Sequence, residues 1–292
     1  MRARPDGRPS PPAVPLGWSP RLDQPHRHEL PPPGAGGGKD TMNDPSTIVA
    51  FFDVDETLIN VKSMADFLAF YWQWSGEDPS RFARARDEHL DRQAAGASRA
   101  QLNRAFYRNF RGAPEEELHR AGRDWFAAEQ ARGDLFHPPA VEALRTHRRA
   151  GHHIALVSGS FLPCLAPVAD VLHADTVLCT APVVRQGVLT GEVGPPAIGP
   201  RKAELARRTM GERRADPAGC HAYGDDSSDA DLLRAVGRPV VVGEDPVLNA
   251  LALREGWATL PGVPRGRRGA LVAAASATSA GSRRPGPPAS PR

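Results

Sequence analysis

The stretch FFDVDETLIN, residues 51–60, runs from an apolar segment directly into Asp53 and Asp55, two carboxylates separated by one valine. Two such charges at a strand end repel each other, and the usual remedy is a hard divalent cation with oxygen ligands. A second acidic group, Asp225 and Asp229 in YGDDSSDADLL, follows another apolar run and supplies further carboxylates. The set predicts a magnesium site with few protein ligands, because magnesium is usually held by one or two carboxylates together with phosphate oxygens and water. Asp226 and Asp231, in the same stretch, are expected to be solvated neighbours of that site.

These residues need strands to position them, and the chain supplies the pattern. TIVAFFDVD (47–55), HHIALVSGS (152–160), TVLCT (176–180), CHAYGD (220–225) and PVVVGED (239–245) are short apolar runs, each followed by a helical stretch. Buried strands alternating with helices predict an α/β fold with a Rossmann-like parallel sheet and helices on both faces. Ligands in such sheets sit beyond the carboxyl ends of the strands, where Asp53, Asp55, Ser158 and Asp225 fall. Residues 62–136 break the rhythm with successive amphipathic helices and no strand, which predicts an all-helical cap inserted after strand one. Within it, Ser98 and Gln101 form a capping box, Pro114 suits a first helical turn, and Phe67, Phe70, Tyr71 and Trp74 have the spacing of a packed helix face. An insertion there is where a lid over the site would sit.

The ends of the chain are different material. Residues 1–46 and 263–292 are rich in Pro, Gly and Arg and lack apolar periodicity, so both are expected to be disordered tails around a core of residues 47–61 and 137–262. Met42 opens a sensible lead into the first strand, so residues 1–41 read as an upstream extension or an unstructured tail. No apolar run reaches the ~20 residues of a membrane span, and the first residues lack the apolar stretch of a secretory signal. A cytoplasmic protein with no membrane span is expected. Cys164, Cys179 and Cys220 lack metal-ligand spacing and read as buried thiols of a reducing compartment. The net charge of +3 owes much to tail arginines, and without aromatic interleaving it predicts no specific nucleic-acid partner. His152 and His153 read as solvated edge residues, and His221 as a packed strand residue without a suitably spaced histidine partner.

DVDET resembles the D-x-D-x-T motif of the haloacid dehalogenase (HAD) superfamily. Ser158 in VSGSF, Lys202 in GPRKAELA and G-D-x-x-x-D from Gly224 to Asp229 match its other three motifs in order, over roughly residues 47–260. The helical insertion, with GVLTGEV at 187–193, is similar to subfamily IB, the branch that holds phosphoserine phosphatase. The resemblance implies a magnesium-dependent phosphatase acting on a small-molecule phosphate monoester through an aspartyl-phosphate. Asp53 would be the nucleophile and Asp55 the acid and base; Asp53, Asp55 (through its carbonyl), Asp225 and Asp229 would surround the metal. Thr57, Ser158, the Gly159 amide and Lys202 would hold phosphate oxygens. A phosphotransferase, or a regulatory binding protein with incidental hydrolysis, is the alternative.

Departure from the family pattern occurs at one position. Phosphoserine phosphatases carry a glutamate five residues after the motif threonine; counted from Thr57, that position here is Lys62. The inverted charge predicts that ammonium-bearing substrates are disfavoured and that a second anionic group on the substrate is favoured.

Overall fold

The computed structural model describes residues 47–78 and 80–263; the expected tails lie outside this range, apart from Val263, which is buried. Six parallel strands form one sheet in the order β3-β2-β1-β6-β7-β8: β1 (Val49–Phe52), β2 (His153–Ser158), β3 (Thr176–Cys179), β6 (His221–Gly224), β7 (Arg238–Val242) and β8 (Ala258–Leu260). Every residue of β1 is buried, because a central parallel strand is covered on both faces. Successive side chains point to opposite sides. Ala50, Phe52, Ile154 and Leu156 enter one core, while Val49, Phe51, Ala155 and Val157 enter the other.

Helices α5 (Pro138–Arg149), α6 (Leu162–Leu172), α7 (Pro200–Arg213), α8 (Ala230–Arg234) and α9 (Pro246–Glu255) connect the strands. Strand order reverses at β1, which lies between β2 and β6, so the carboxyl end of β1 opens the crevice where ligands of such sheets sit. An antiparallel hairpin, β4 (Pro182–Arg185) and β5 (Val188–Val193), stands apart from the main sheet. Its two-residue turn, Gln186 and Gly187, has φ of 52° and 74°, the doubly positive geometry that matches strand twist.

The segment between β1 and β2 contains helices α1 (Ser63–Trp74), α2 (Ser80–Ala94), α3 (Arg99–Tyr107) and α4 (Glu115–Ala131), an all-helical cap as expected. The Ser98–Gln101 capping box is formed, and Pro114 is the residue immediately before α4. Glu115, Glu116 and Glu117 then place negative charge in the first turn of α4, where the helix dipole favours it. Phe67 of α1 packs among Tyr71, Phe110, Trp125 and Phe161, so the aromatic face is core. Helix α2 buries none of its described residues fully. Helix α4 meets α6 so closely that a Cβ at Gly122 would lie 2.0 Å from the Pro163 carbonyl oxygen. No helix among the described residues is long and apolar enough to cross a membrane.

Candidate active site

Strand β1 delivers Asp53 at its carboxyl end, and the Asp53 amide donates to the Tyr223 carbonyl at 2.9 Å, fixing the backbone beside β6. The chain then closes a tight turn in which the Leu58 and Ile59 amides donate to the Val54 carbonyl at 2.9 and 3.0 Å. Glu56 takes a left-handed φ of 60° to complete it. Beside this turn the Asn60 amide donates to Leu135 O at 2.7 Å, joining core to cap, and the His137 amide donates to Leu58 O at 2.9 Å, joining the two core segments.

Asp53, Asp225 and Asp229 are buried, with one carboxylate oxygen from each within 4.8 Å of the others. Lys202, in the first turn of α7, extends into this group: its Nζ lies 2.7 Å from Asp53 Oδ1 and 2.6 Å from Asp229 Oδ1. Thr57 Oγ1 donates to Asp225 Oδ1 at 2.9 Å. Gly224 must be glycine here, because a Cβ would approach the Asp229 Cβ to 2.6 Å.

Three buried carboxylates face one ammonium, and their electrostatics show the imbalance. Burial, with the charges of Asp53 and Asp229, pushes Asp225 up to about 9. Burial raises Asp229 to about 6 against the pull of Lys202. Burial alone would lower the Lys202 ammonium, yet Asp229 and Asp53 outweigh it and hold the group above its usual range. Buried negative charge in excess, presented on oxygen atoms, fits a hard divalent cation.

Asp55 is different. Burial, then the Asp53 charge, raises it to about 7, and its Oδ1 is buried without a hydrogen-bond partner among the described residues. The chain thus holds one carboxyl group readily protonated near neutral pH, two residues from the buried triad. On the other side, Ser158 ends β2 and its Oγ accepts the Ser160 amide at 3.1 Å. Gly159 is closely covered, with a Cβ there falling 2.9 Å from Ile198 Cγ1.

The cap contributes contacts that the motifs do not contain. Asn103 Nδ2 and Tyr107 OH on α3 donate to the Gly159 carbonyl at 2.9 and 3.2 Å, and Ser63 Oγ donates to Ser160 Oγ at 2.8 Å. Asp226, expected to be solvated, pairs with Arg99 of α3 at 2.7 Å. Lys62 does not stand as a free cation: its Nζ lies 2.6 Å from Glu56 Oε2, with the lysine side chain 60% exposed and the glutamate 10%. The reading of His152 and His153 as solvated, and of His221 as lacking a histidine partner, is corrected. His153 Nε2 bonds Thr176 Oγ1 at 2.9 Å, and His147, His152 and His221 cluster at the amino ends of the strands, away from this site.

A family model described as haloacid dehalogenase-like hydrolase matches residues 50–234. The inhibition of morphological differentiation protein of Streptomyces azureus is 31% identical over 222 residues, which cover 72% of this chain and 77% of the relative. A protein named as a probable phosphatase in Mycobacterium tuberculosis is 28% identical, covering 88% of this chain and 90% of its own. In fold, the chain is similar to a structure of a phospho-aspartyl intermediate analogue of phosphoserine phosphatase, with a TM-score of 0.53, 18% identity and coverage of 75% and 95% of the two chains.

Proposed function

Because the chain belongs to the haloacid dehalogenase-like hydrolases, we propose that it is a magnesium-dependent phosphatase of the phosphoserine phosphatase-like branch, subfamily IB, hydrolysing a small-molecule phosphate monoester. The observation that carries this reading is the pairing of a buried Asp53–Asp225–Asp229 triad around Lys202 with a separate, protonatable Asp55.

In this reading Asp53 Oδ attacks phosphorus while the bond to the ester oxygen breaks, giving an aspartyl-phosphate and the alcohol. Asp55 supplies the proton to the departing oxygen, and its raised pKa keeps that proton available near neutrality. Water then attacks phosphorus, Asp55 takes its proton, and the Asp53 carboxylate is released together with inorganic phosphate. Lys202 offsets charge on the nucleophile and on the phosphoryl group. Ser158 Oγ and the Gly159 amide donate to the phosphate oxygens, on a loop whose Gly159 carbonyl is held by Asn103 and Tyr107. Thr57 orients Asp225 and lies beside the phosphate position. Asp53, Asp225, Asp229 and the Asp55 carbonyl would hold Mg2+, which supplies charge neutralisation at the phosphoryl oxygens.

Substrate choice is assigned to the mouth of the site. A cationic Lys62 facing a substrate ammonium at ~4 Å would cost roughly 4 kcal/mol at an effective dielectric of 20, and its ion pair with Glu56 offsets part of that. Phosphoserine is therefore expected to be a poor substrate, and Lys62→Glu to move preference toward it. The free thiols Cys164, Cys179 and Cys220 support a reducing, cytoplasmic setting for the reaction.

The test is hydrolysis of p-nitrophenyl phosphate with and without Mg2+, followed by a panel of phosphorylated metabolites. Turnover that appears only with Mg2+ supports the reading. Purified protein that hydrolyses none of these esters under either condition overturns it.

A further inference from the structure

A second cluster of potential ligands lies at the opposite end of the sheet, and its chemistry differs from that of the carboxylate triad. We propose that His147, His152 and His221 form a Zn2+-binding site that ties the end of α5 and the start of β2 to the start of β6.

The three residues come from three separate places. His147 lies in the last turn of α5, His152 precedes β2, and His221 is the first residue of β6. The β1 register brings them together, since Val49 pairs with His153 and Ala50 with His221. One ring nitrogen from each histidine lies within 4.8 Å of the other two. His147 is buried, while His152 and His221 are half-buried, so an ion could reach the cluster from solvent.

Both ring nitrogens of His147 can be accounted for. His147 Nδ1 and His152 Nδ1 are 2.8 Å apart, a separation at which one proton is shared between two ligand-type nitrogens. A metal ion replacing that proton would use both nitrogens. His147 Nε2 lies 2.9 Å from the Tyr223 hydroxyl, so with Nδ1 on the metal, Nε2–H donates outward to Tyr223. This is the outer-sphere arrangement that fixes the tautomer of a metal-bound imidazole. The His221 ring centroid is 4.3 Å from that of His147, and no hydrogen bond among the described residues uses the His221 ring. Its lone pair is left for a third ligand bond.

Charge favours neutral ligands. Burial and the neighbouring imidazoles hold His147 down to about 3, and burial with the Arg238 charge holds His221 at about 4, so both rings are unprotonated at neutral pH, as metal binding requires. Arg238 also opposes a cation, but it is exposed, and water and salt screen it. An all-imidazole donor set selects zinc, copper or nickel over magnesium, whereas the carboxylate triad has the opposite preference. Tetrahedral zinc with bonds of about 2.0–2.1 Å holds its ligand nitrogens roughly 3.3–3.4 Å apart, so His147 Nδ1 and His152 Nδ1, now 2.8 Å apart, must open by about 0.5 Å to admit the ion, and the fourth position is left for water.

The test is Zn2+ binding to the tag-free full chain in excess Mg2+, by equilibrium dialysis with metal analysis and by calorimetry. Wild type and Asp225→Asn are expected to retain one Zn2+ that His152→Asn and His221→Asn lose. Tyr223→Phe, which keeps all three ligands, should weaken binding by about 10–100-fold. Melting in EDTA establishes that each variant is folded. Equal zinc retention in wild type and both histidine variants, loss in Asp225→Asn alone, or no zinc retained by wild type would each overturn the proposal.

Discussion

Replacing Lys202 by methionine keeps the aliphatic stem and removes the ammonium that touches Asp53 at 2.7 Å and Asp229 at 2.6 Å. Both carboxylates are almost fully buried, so the variant leaves buried negative charge without its partner. Breaking such a contact costs about 3–5 kcal/mol. For a fold of this size each kcal/mol moves the melting temperature by about 2–4 °C, so Lys202→Met should melt about 6–20 °C lower in EDTA. The loss depends on pH in a calculable direction. Asp225 and Asp229, at about 9 and 6 in the folded wild type, lie above the ordinary carboxylate value, so the folded chain binds more protons than the unfolded one between about pH 4 and 9. Their contribution to stability is fully present below pH 4 and falls as pH rises through 6 and 9. The lysine variant should therefore be penalised most at pH 8.5 and least at pH 5.5, and Mg2+ should restore part of the loss at high pH. Calorimetric melting of both proteins at the two pH values, with EDTA or Mg2+, reads all of this. A variant melting within about 2 °C of wild type at pH 8.5 in EDTA would refute the charge imbalance on which the metal assignment rests.

Asp53→Asn should lose several orders of magnitude in phosphatase kcat while leaving the fold intact; residual activity within tenfold, above contamination, sinks the nucleophile assignment. Gly122→Ala inserts a methyl against the Pro163 carbonyl and should cost about 1–3 kcal/mol, or about 2–12 °C in melting temperature, and an unchanged melt would show that α4 and α6 can separate freely. In EDTA the histidine cluster should add acid sensitivity. His221 is held at about 4 when folded, below its ordinary 6.5, so the unfolded chain binds more protons between those values and stability is lost as pH falls through that window, at up to about 1.4 kcal/mol per pH unit. Urea unfolding from pH 6.5 to 4 should accordingly be less steep in pH for His221→Asn than for wild type, and parallel curves would contradict the shift. Lys62→Glu should raise kcat/KM for phosphoserine relative to phosphoesters bearing an extra carboxylate; an unchanged ranking removes Lys62 from substrate selection.

What the sequence disclosed follows strand ends. Asp53, Ser158 and Asp225 were legible because an apolar run that stops at a polar residue marks the carboxyl edge of a parallel sheet, and the structure puts them there. Contacts set by the docking of the cap were not legible. Asn103 and Tyr107 sit on an amphipathic helix whose pattern is the same wherever it packs, so nothing local links them to Gly159, more than fifty positions away. The histidine cluster escaped for the same reason, since its members meet only through strand register. The β4–β5 hairpin did leave a local signal in Gln186-Gly187 between alternating apolar residues, at the start of the same GVLTGEV stretch that carries the subfamily resemblance.

The cap has two unequal halves. Helix α4 is locked to α6 by backbone-level contact at Gly122, whereas α2 buries none of its described residues fully. Sequence change is therefore cheap in one half and costly in the other. Outside Arg81, Phe82 and Ala85, which pack against Trp72 or the core, helix α2 can exchange residues or accept a fluorescent label with little cost to the fold, while α4 tolerates almost no added volume where it meets α6.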